Sequence, residues 1–400
     1  MENWKKIRLG SACRTNTDSY SPKEKWDFVN YLDTGNITNN TIDSIQFIDL
    51  TKDKLPSRAK RKVKMDSIVY STVRPNQHHF GIIKSQPENF LVSTGFAVID
   101  VDTNVLNADF LYYLLTQNTL VEALHAIAEQ STSAYPSIKL SDIENLEIEI
   151  PGILTQKKIA EILNSLDDKV TQNNEINKNL EQQIEAVLLS FIENTNSNPV
   201  KLGDYLYIKG RIGWKGLKKN EYLEHSDYRI INGESLTKAG IDWSKAGYIS
   251  QARYDESPEI MLQNGDILLS KDGTIGKIGY IDSLSIPTTV ASGIFVIRNL
   301  QPNVISTTFI YYLLKSRLFT AFIAARTEGS VIPHLYQKDF MKFEFLLPNK
   351  GEMEDFEALT APMFSLIISN LNENNRLSRI RDTLLPRLMS GELDVSSIDL

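Results

Sequence analysis

Two long stretches of the sequence carry apolar residues in alternating steps of three and four, which is the heptad spacing of coiled-coil helices. The first seam runs through Ile159, Leu163, Leu166, Val170, Asn173, Asn177, Leu180, Ile184, Val187 and Phe191. The second runs through Thr360, Met363, Ile367, Asn370, Asn374, Leu377, Arg381, Leu384 and Leu388. We therefore predict long helices in residues 153–198 and 350–400. Because the first must run out and the second must return, we expect them to pair antiparallel.

Each seam contains two asparagines, Asn173 and Asn177 in the first and Asn370 and Asn374 in the second, at positions related by a shift of 197 residues. A buried asparagine weakens a coiled coil but fixes its register and its number of strands. The asparagines therefore predict a register-setting layer in the helix pair. The alternative is that these side chains face solvent on a bent helix, and the sequence leaves both interpretations open.

The remaining residues, 1–152 and 199–349, alternate short β-rich runs with glycine, proline and asparagine, and each range contains one amphipathic helical segment. This pattern predicts mixed α+β globular domains. The aromatic run at 110–115 could form a base-stacking surface, but aromatic residues at helical spacing are far more often core. We predict that it is buried.

The chain is an internal repeat with a spacing close to 200 residues. Residues 92–99 (VSTGFAVI) return at 290–297 (VASGIFVI), and residues 110–115 (FLYYLL) return at 309–314 (FIYYLL). Such a long period indicates two duplicated domains and not a solenoid. The predicted architecture is an α+β fold in which two duplicated mixed α/β domains are separated by two long antiparallel coiled-coil helices.

Composition narrows the class of protein. The 400 residues are 42% apolar and contain a single cysteine, Cys13, which excludes an internal disulfide framework. No apolar run approaches the length of a membrane span, and the first residues lack the apolar core of a signal peptide. We expect a cytoplasmic protein.

The net charge of −7 argues against nucleic acid as a partner, but its distribution changes this conclusion. Residues 155–198 carry a net charge of −3 and residues 351–400 carry −5, which leaves +1 for the rest. Five cations lie within residues 58–64, and five more lie within residues 209–219. The globular domains are therefore more basic than the helices.

Catalytic and metal-binding motifs are absent from the sequence. The five histidines are not spaced as a ligand set, no phosphate-binding G-x-x-x-x-G-K-[ST] loop is present, and no Glu-x-Lys triplet of a nuclease core occurs. Nor is there a glycine-rich strand-to-helix turn suited to S-adenosylmethionine. We expect a noncatalytic binding protein without a metal or a cofactor of its own.

Polar loops beside the β-rich runs supply groups that pair with base edges, since arginine reads guanine and asparagine or glutamine reads adenine. The candidate DNA-contacting residues are Lys60, Arg61, Lys62, Arg74, Asn76, Gln77, His78, Ser133 and Tyr135 in the first copy, and Arg211, Lys215, Lys218, Lys219, Lys271, Asp272, Thr274, Lys277 and His334 in the second. These loops differ between the copies more than the flanking strands do. Two different target sequences would explain the difference, and so would ordinary divergence of loops.

Several short motifs, in this order and with the duplication, resemble one family over essentially the whole chain. They are the opening WKxxxLG at 4–10 with its echo at 201–203, the QKKIA run at 156–160, the KDGTIG turn at 271–276 and the terminal LLPRLMSGEL at 384–393. The family is the specificity subunits of type I restriction–modification enzymes. The second copy departs from the pattern, because it has Met353-Glu354-Asp355-Phe356 where the first has the Gln-x-x-Ile-Ala entry.

The resemblance implies two target-recognition domains, at 1–152 and 199–349, each of which reads one half of an asymmetric bipartite DNA site. It implies that the helices set the spacing and dock methyltransferase (modification) subunits, with two copies expected, and that restriction subunits also join. S-adenosylmethionine, ATP and Mg²⁺ would then belong to these partner subunits. The alternatives are a noncatalytic coiled-coil scaffold that binds proteins and a diverged nuclease.

Overall fold

The computed structural model describes residues 4–131, 135–212, 216–327 and 334–395. The chain forms two compact units: unit 1 comprises residues 1–169 and 377–400, and unit 2 comprises residues 170–376. Each unit therefore holds one copy of the repeat together with a segment of each long helix.

Unit 1 is built on two four-stranded sheets. Its elements are β1 (Lys5–Arg8), β2 (Cys13–Thr15), β3 (Phe28–Leu32), β4 (Ile37–Thr38), β5 (Thr41–Ile42), β6 (Gln46–Asp49), β7 (Ala59–Arg61), β8 (Ile68–Ser71), β9 (Phe80–Ile82), β10 (Phe90–Ser93), β11 (Phe96–Val101), α1 (Ala108–Leu115), α2 (Asn118–Glu129), α3 (Leu140–Glu144), β12 (Glu147–Ile150) and the start of α4 (Ile153–Asn194). The sheets have the orders β2-β11-β8-β9 and β6-β3-β10-β7, and β1 pairs antiparallel with β12.

Strand β11 carries the core of unit 1 on both of its faces. Because side chains alternate along a strand, Phe96 and Val98 join one apolar cluster, whereas Ala97 and Ile99 join the other. Helix α1 packs on the second cluster, and every residue from 110 to 115 is buried. The prediction that this aromatic run is core is confirmed.

Unit 2 repeats this arrangement. Its elements are β13 (Pro199–Lys201), β14 (Leu206–Gly210), β15 (Arg229–Ile231), β16 (Leu236–Thr237), β17 (Gly240–Ile241), β18 (Gly247–Tyr248), α5 (Gln251–Asp255), β19 (Ile267–Ser270), β20 (Ile278–Tyr280), β21 (Thr288–Val290), β22 (Ile294–Asn299), α6 (Thr307–Lys315), α7 (Arg317–Thr327), α8 (Gln337–Phe340), β23 (Glu344–Leu346) and α9 (Lys350–Met389), which ends in unit 1. The order β14-β22-β19-β20 matches that of β2-β11-β8-β9, and a three-stranded sheet β18-β15-β21 replaces the second sheet.

Within unit 2, α4 and α9 run antiparallel, and their asparagines pair across the interface. The amide of Asn173 donates to the Asn374 side-chain oxygen at 2.9 Å, and the amide of Asn370 donates to the Asn177 oxygen at 2.8 Å. Each asparagine thus bonds not to its repeat equivalent but to the other asparagine of the opposite helix. Asn173, Asn177 and Asn370 are buried, so the solvent-facing alternative is wrong.

Within unit 1, the same two helices also run antiparallel. Arg381, the charged residue of the second seam, donates to the Asp167 carboxylate at 2.8 Å, and the hydroxyl of Tyr113 donates to Asp167 at 2.8 Å. Burial and the nearby carboxylate raise the pKa of Tyr113. Arg381 is therefore accommodated in the seam because Asp167 neutralises it.

We expect Asn177→Leu to destabilise unit 2 by about 1–3 kcal/mol, because the buried amide of Asn370 then loses its acceptor. The double variant Asn177→Leu/Asn370→Leu should recover most of this loss, since neither polar group remains. Asn179→Leu, at an exposed position of the same helix, is the matched control and should change stability by less than about 0.5 kcal/mol. Denaturant unfolding measures all three, and a double variant no more stable than the single one contradicts the pairing.

Candidate nucleic-acid interface

Two exposed loops of unit 1 join into one surface, which we call loop pair 1 (residues 71–79 and 135–138). The backbone amide of Arg74 donates to the carbonyl of Pro136 at 3.0 Å, which ties one loop to the other. The sequence predicted the two loops as separate candidates, and the tertiary structure makes them one surface.

The tip of loop pair 1 holds arginine in an unusual conformation. Arg74 (φ 48°) and His78 (φ 57°) both adopt left-handed backbone angles, and they bracket a single 3-10 turn at Pro75–Gln77. Residues other than glycine, asparagine and aspartate rarely adopt these backbone angles. Residues with strained backbone angles tend to cluster at functional sites. The guanidinium of Arg74 lies 5.6 Å from the ring centre of Tyr135, so an aromatic face supports the cation.

Most candidates of the first copy that lie in these loops are therefore brought together. Loop pair 1 contains Arg74, Asn76, Gln77, His78 and Tyr135, of which all but His78 are well exposed. Ser133 lies outside the described residues. The assembled surface offers guanidinium, amide and imidazole groups, which are the groups that read base edges.

Unit 2 forms the equivalent surface, loop pair 2 (residues 270–277 and 334–336). The amide of Leu335 donates to the carbonyl of Lys271 at 2.9 Å. The Asp272 carboxylate lies within hydrogen-bonding contact of Nδ1 of His334.

Backbone hydrogen bonds establish which residues correspond between the two loop pairs. The amides of Thr72 and Lys271 each donate at 2.9 Å to the carbonyl of a glycine, Gly95 and Gly293 respectively. Lys271 is therefore the counterpart of Thr72 and not of Arg74. The two loops correspond as predicted, but their cations do not.

The side chain of Lys271 is engaged within unit 2. Its side chain is only 12% exposed, and its ammonium lies 3.3 Å from the Asp272 carboxylate and 5.5 Å from the ring centre of Phe295. A lysine held in this way neutralises its neighbour and does not extend toward a phosphate.

Only some side chains of the basic run in unit 1, residues 58–64, are exposed enough to contact DNA. Lys62 forms an ion pair with Glu24 at 2.5 Å, and this hydrogen bond raises the pKa of Lys62. Arg61 donates to the Ser19 hydroxyl at 3.4 Å and is half-buried, which leaves Lys60 as the exposed candidate of the three. These three side chains lie on or beside the sheet that contains β7, whereas loop pair 1 follows β8 of the other sheet.

Arg58 is a residue that the sequence argument did not select. Its carbonyl accepts from the amide of Thr94 at 2.8 Å, and the next residue, Gly95, bonds to Thr72 of loop pair 1. Arg58 is exposed. It therefore lies where the basic run approaches loop pair 1, and its position at the start of that run was the available signal.

Arg211 must be removed from the candidates. It is 2% exposed, and its guanidinium donates to the Val290 carbonyl at 3.1 Å and to the Ser257 hydroxyl at 3.4 Å. Burial lowers the pKa of Arg211. A cation enclosed in this way cannot reach a phosphate, so it supports the interior of unit 2.

The other candidates of unit 2 are dispersed. Lys218 and Lys219 are exposed at the 3-10 turn Lys219–Glu221, while Thr274 is exposed within loop pair 2. Lys277 also lies in loop pair 2, but its ammonium donates to the carbonyl of Gly233 at 3.0 Å. Lys215 lies outside the described residues.

Comparison with known proteins decides the family. The type I restriction modification DNA specificity domain matches this chain twice, at residues 1–185 and 194–377. The chain belongs to this family. Each match contains one loop pair, and the duplication predicted from the sequence is confirmed.

Individual relatives agree with the family. The type I restriction enzyme HindI specificity subunit of Haemophilus influenzae is 26% identical, over 98% of this chain and 100% of the relative. The MjaIX specificity subunit of Methanocaldococcus jannaschii is 23% identical, over 98% and 94%. A crystal structure of the type I restriction–modification S subunit from M. genitalium shares the fold, with a TM-score of 0.57, 19% identity and coverage of 97% and 96%.

The departure of the second copy from the family motif has a structural counterpart. Gln156 is buried in unit 1, where its side chain accepts from the amide of Asn107 at 2.9 Å and donates to the carbonyls of Val105 at 3.1 Å and Pro151 at 2.9 Å. The residue at the matching turn of unit 2, Met353, packs into the apolar core. The hydrogen bonds of Gln156 that hold the start of α4 are thus replaced by hydrophobic contacts of Met353 at the start of α9.

The described parts of the chain contain neither a candidate metal-binding cluster nor a candidate membrane-spanning helix. No group of three or more histidine, cysteine or carboxylate side chains is arranged to hold a metal ion. No helix in those parts is both long enough and apolar enough to span a membrane.

We expect Arg74→Ala to weaken specific DNA binding by about 1–3 kcal/mol and to relax base preference at one position, as for the loss of one base-edge contact. Arg74→Lys is the matched control, since it keeps the charge but loses the two-pronged geometry. It should restore affinity for DNA in general but not the base preference. Binding selection from randomised DNA measures both quantities. Equal weakening on all sequences would indicate a phosphate contact, and unchanged binding would contradict a role for Arg74.

Proposed function

We propose that this chain is the DNA-recognition subunit of a type I restriction–modification complex, and that each unit reads one half of an asymmetric bipartite site. The observation that carries the proposal is the pair of loop surfaces. Two backbone hydrogen bonds recur at matching positions in both surfaces. Arg74 and Tyr135 occupy one surface, whereas Asp272 and His334 occupy the other. One scaffold with two chemistries suits the reading of two different sequences.

We further propose that the long helices bind modification subunits, two per chain, and that restriction subunits join the assembly. Each unit has a groove beside the first turns of a long helix, of about 390 Å³ in unit 1 and about 550 Å³ in unit 2. Carboxylates line both grooves, including Asp109 and Glu161 in the first and Glu354 and Glu357 in the second. Acidic walls repel DNA, so these grooves suit a protein partner.

S-adenosylmethionine, ATP and Mg²⁺ would belong to these partner subunits, and the chain would act with them on DNA in the cytoplasm. This division of labour agrees with the lack of nucleotide-binding and nuclease motifs in the sequence. In this proposal the chain supplies sequence recognition, while the reactions occur on other subunits.

The decisive experiment selects bound sequences from randomised duplex DNA, using the full chain assembled with its modification subunits. We expect two short sequence blocks separated by a gap of fixed length, with affinity falling steeply as salt increases. A protein scaffold would enrich no sequence and would bind no DNA at any salt concentration. A nuclease would cleave DNA when a divalent metal is added to the isolated chain.

The proposed role of the helices as a spacer predicts a change in the gap. One whole heptad inserted after Lys169 and another after Arg376, at the boundary between the units, preserves both seams and lengthens each helix by about 10 Å. Since duplex DNA rises roughly 3.4 Å per base pair, the preferred gap should grow by about three base pairs. Both sequence blocks should stay the same.

Affinity should fall even at the new gap, because three base pairs rotate the groove by nearly a third of a turn of roughly 10 base pairs. A heptad inserted in α4 alone is the control and should bind worse, because it shifts Asn173 and Asn177 out of register with α9. If the double insertion leaves the preferred gap unchanged, the helices do not set the spacing.

A further inference from the structure

A carboxylate stands at the tip of the surface with which unit 2 is proposed to bind DNA. The Asp272 side chain is 40% exposed, and its neighbour along the chain, Gly273, adds no side chain to cover it. A Cβ atom placed on Gly273 would have no heavy atom within 4 Å. The Asp272 side chain is therefore partly open to solvent, and the residue that follows it adds no bulk.

A lysine and a histidine contact the carboxylate of Asp272. One of its oxygens pairs with Nδ1 of His334, and the other lies 3.3 Å from the ammonium of Lys271. An ionised carboxylate has about four lone-pair sites on its two oxygens, so each oxygen retains acceptor capacity after these contacts. The ring of Tyr336 packs against the imidazole at 4.4 Å between ring centres and limits its movement.

Unit 1 shows that the fold does not require this charged cluster. At the equivalent bridge between the two loops, Val73 pairs with Ser137, where unit 2 pairs Asp272 with His334. The same backbone geometry therefore forms without any ionisable side chain at either position. A structural ion pair does not account for the cluster, because its counterpart is absent and the loops still join.

A bare carboxylate at a DNA interface would repel phosphate and weaken binding to every sequence. In loop pair 2 this cost is reduced, because the ammonium of Lys271 lies 3.3 Å from the Asp272 carboxylate. The Lys271 side chain is held against Asp272 and does not itself extend toward a DNA phosphate. The arrangement therefore keeps an acceptor at the surface with little net negative charge, which favours selectivity over affinity.

We propose that Asp272 is a specificity-determining residue that accepts a hydrogen bond from the exocyclic amino group of a cytosine in the major groove. Lys271 and His334 are positioning residues that fix the carboxylate, and Lys271 balances its charge. The inference rests on the proposed function and adds the chemistry of one half-site. Of the groove-edge groups, only cytosine N4 and adenine N6 are donors, whereas the guanine and thymine edges present acceptors that a carboxylate repels.

In this proposal the two units present hydrogen-bonding groups of opposite kind to the bases. Arg74 in unit 1 is a donor and suits the acceptors of guanine, whereas Asp272 in unit 2 is an acceptor and suits an amino group. A donor in one unit and an acceptor in the other select different groups on the base edges. This difference in chemistry agrees with two half-sites of different sequence.

The test is Asp272→Asn, studied as the full chain assembled with its modification subunits and probed with randomised duplex DNA. Asparagine has the same shape, but it replaces one acceptor oxygen with a donor. We expect discrimination at one base pair of the unit 2 block to fall by about 10-fold to 100-fold, which is the range for one base-edge contact. Affinity for nonspecific DNA should rise, because Lys271 loses its counter-charge.

Asp227→Asn is the matched control, since it removes an exposed carboxylate elsewhere in unit 2 and should leave the selected sequences unchanged. A second variant, Lys271→Met, should reduce discrimination at the same base pair as Asp272→Asn, and Lys271→Arg should restore it. The sequence block read by unit 1 serves as an internal measure of folding and assembly in every variant.

The outcomes separate this proposal from the proposed function. If the native complex enriches no bipartite sequence, the proposed function fails. If the native complex does so but Asp272→Asn retains the same base preference within about twofold, the role of Asp272 is overturned while the function stands. Loss of both sequence blocks in Asp272→Asn would also overturn it, since the residue would then support the fold.

Discussion

Exchanging residues 11–150 for the equivalent segment of another family member should replace one half of the recognised DNA sequence and leave the other half unchanged. All of loop pair 1 lies within this segment, and all of loop pair 2 lies outside it. Because each loop pair belongs to its own unit, no residue of the exchanged segment contributes to the second surface. Selection from randomised DNA, before and after the exchange, measures the result.

The structure adds a condition to this experiment. The segment contains β12, which pairs with β1 outside it, and Tyr113, whose hydroxyl bonds to Asp167 of α4. The donor segment should carry the same residues at these contacts, so that unit 1 folds. Restoring native residues 71–79 and 135–138 in the chimera is the control, and it should return the native half-site. If both halves change, or neither does, the two-surface interpretation is contradicted.

Leu388→Ala should destabilise unit 1 by about 2–5 kcal/mol and leave unit 2 largely unaffected. Leu388 is 2% exposed and lies near the end of α9, where it joins the apolar core that also contains Leu9 and Phe110. Truncation removes buried methyl groups and leaves a cavity, because the surrounding β-sheet and helices relax only partly. Hydrogen exchange resolved by peptide measures the opening of each unit separately.

Leu359→Ala is the matched control, in the same helix and with the same change of side chain. Leu359 is 52% exposed, so its loss should alter stability by less than about 0.5 kcal/mol. The peptides of unit 1 should lose protection only in Leu388→Ala. Equal effects of the two substitutions, or equal loss of protection in both units, would contradict the assignment of the α9 end to unit 1.

The duplication could be predicted because similar segments recur in the same order along the sequence. The repeated VSTGFAVI and FLYYLL segments predicted the two domains, and each contributes a buried strand or helix. Periodicity also predicted both long helices, and their order along the chain predicted the antiparallel pairing. These features follow from local patterns of apolar residues, which constrain secondary structure directly.

The burial and the bonding partners of individual cationic side chains could not be predicted from the sequence pattern. Arg74, Arg211 and Lys271 all lie in polar loop segments, yet the first is exposed, the second is 2% exposed and the third is held against Asp272. The difference depends on which distant groups surround each side chain, such as the Val290 carbonyl for Arg211. A sequence motif records the charge of a residue but not its burial.

The sequence alone determined the repeat, the two helices, the positions of the four asparagines and the family that the motifs resemble. The tertiary structure decided that Asn173 bonds to Asn374, that loops 60 residues apart form one surface, and that Lys271 corresponds to Thr72. The physical reason is the range of the interactions. Apolar periodicity acts over neighbouring turns of one element, whereas burial, ion pairing and loop-to-loop hydrogen bonds join residues that only the folded chain brings together.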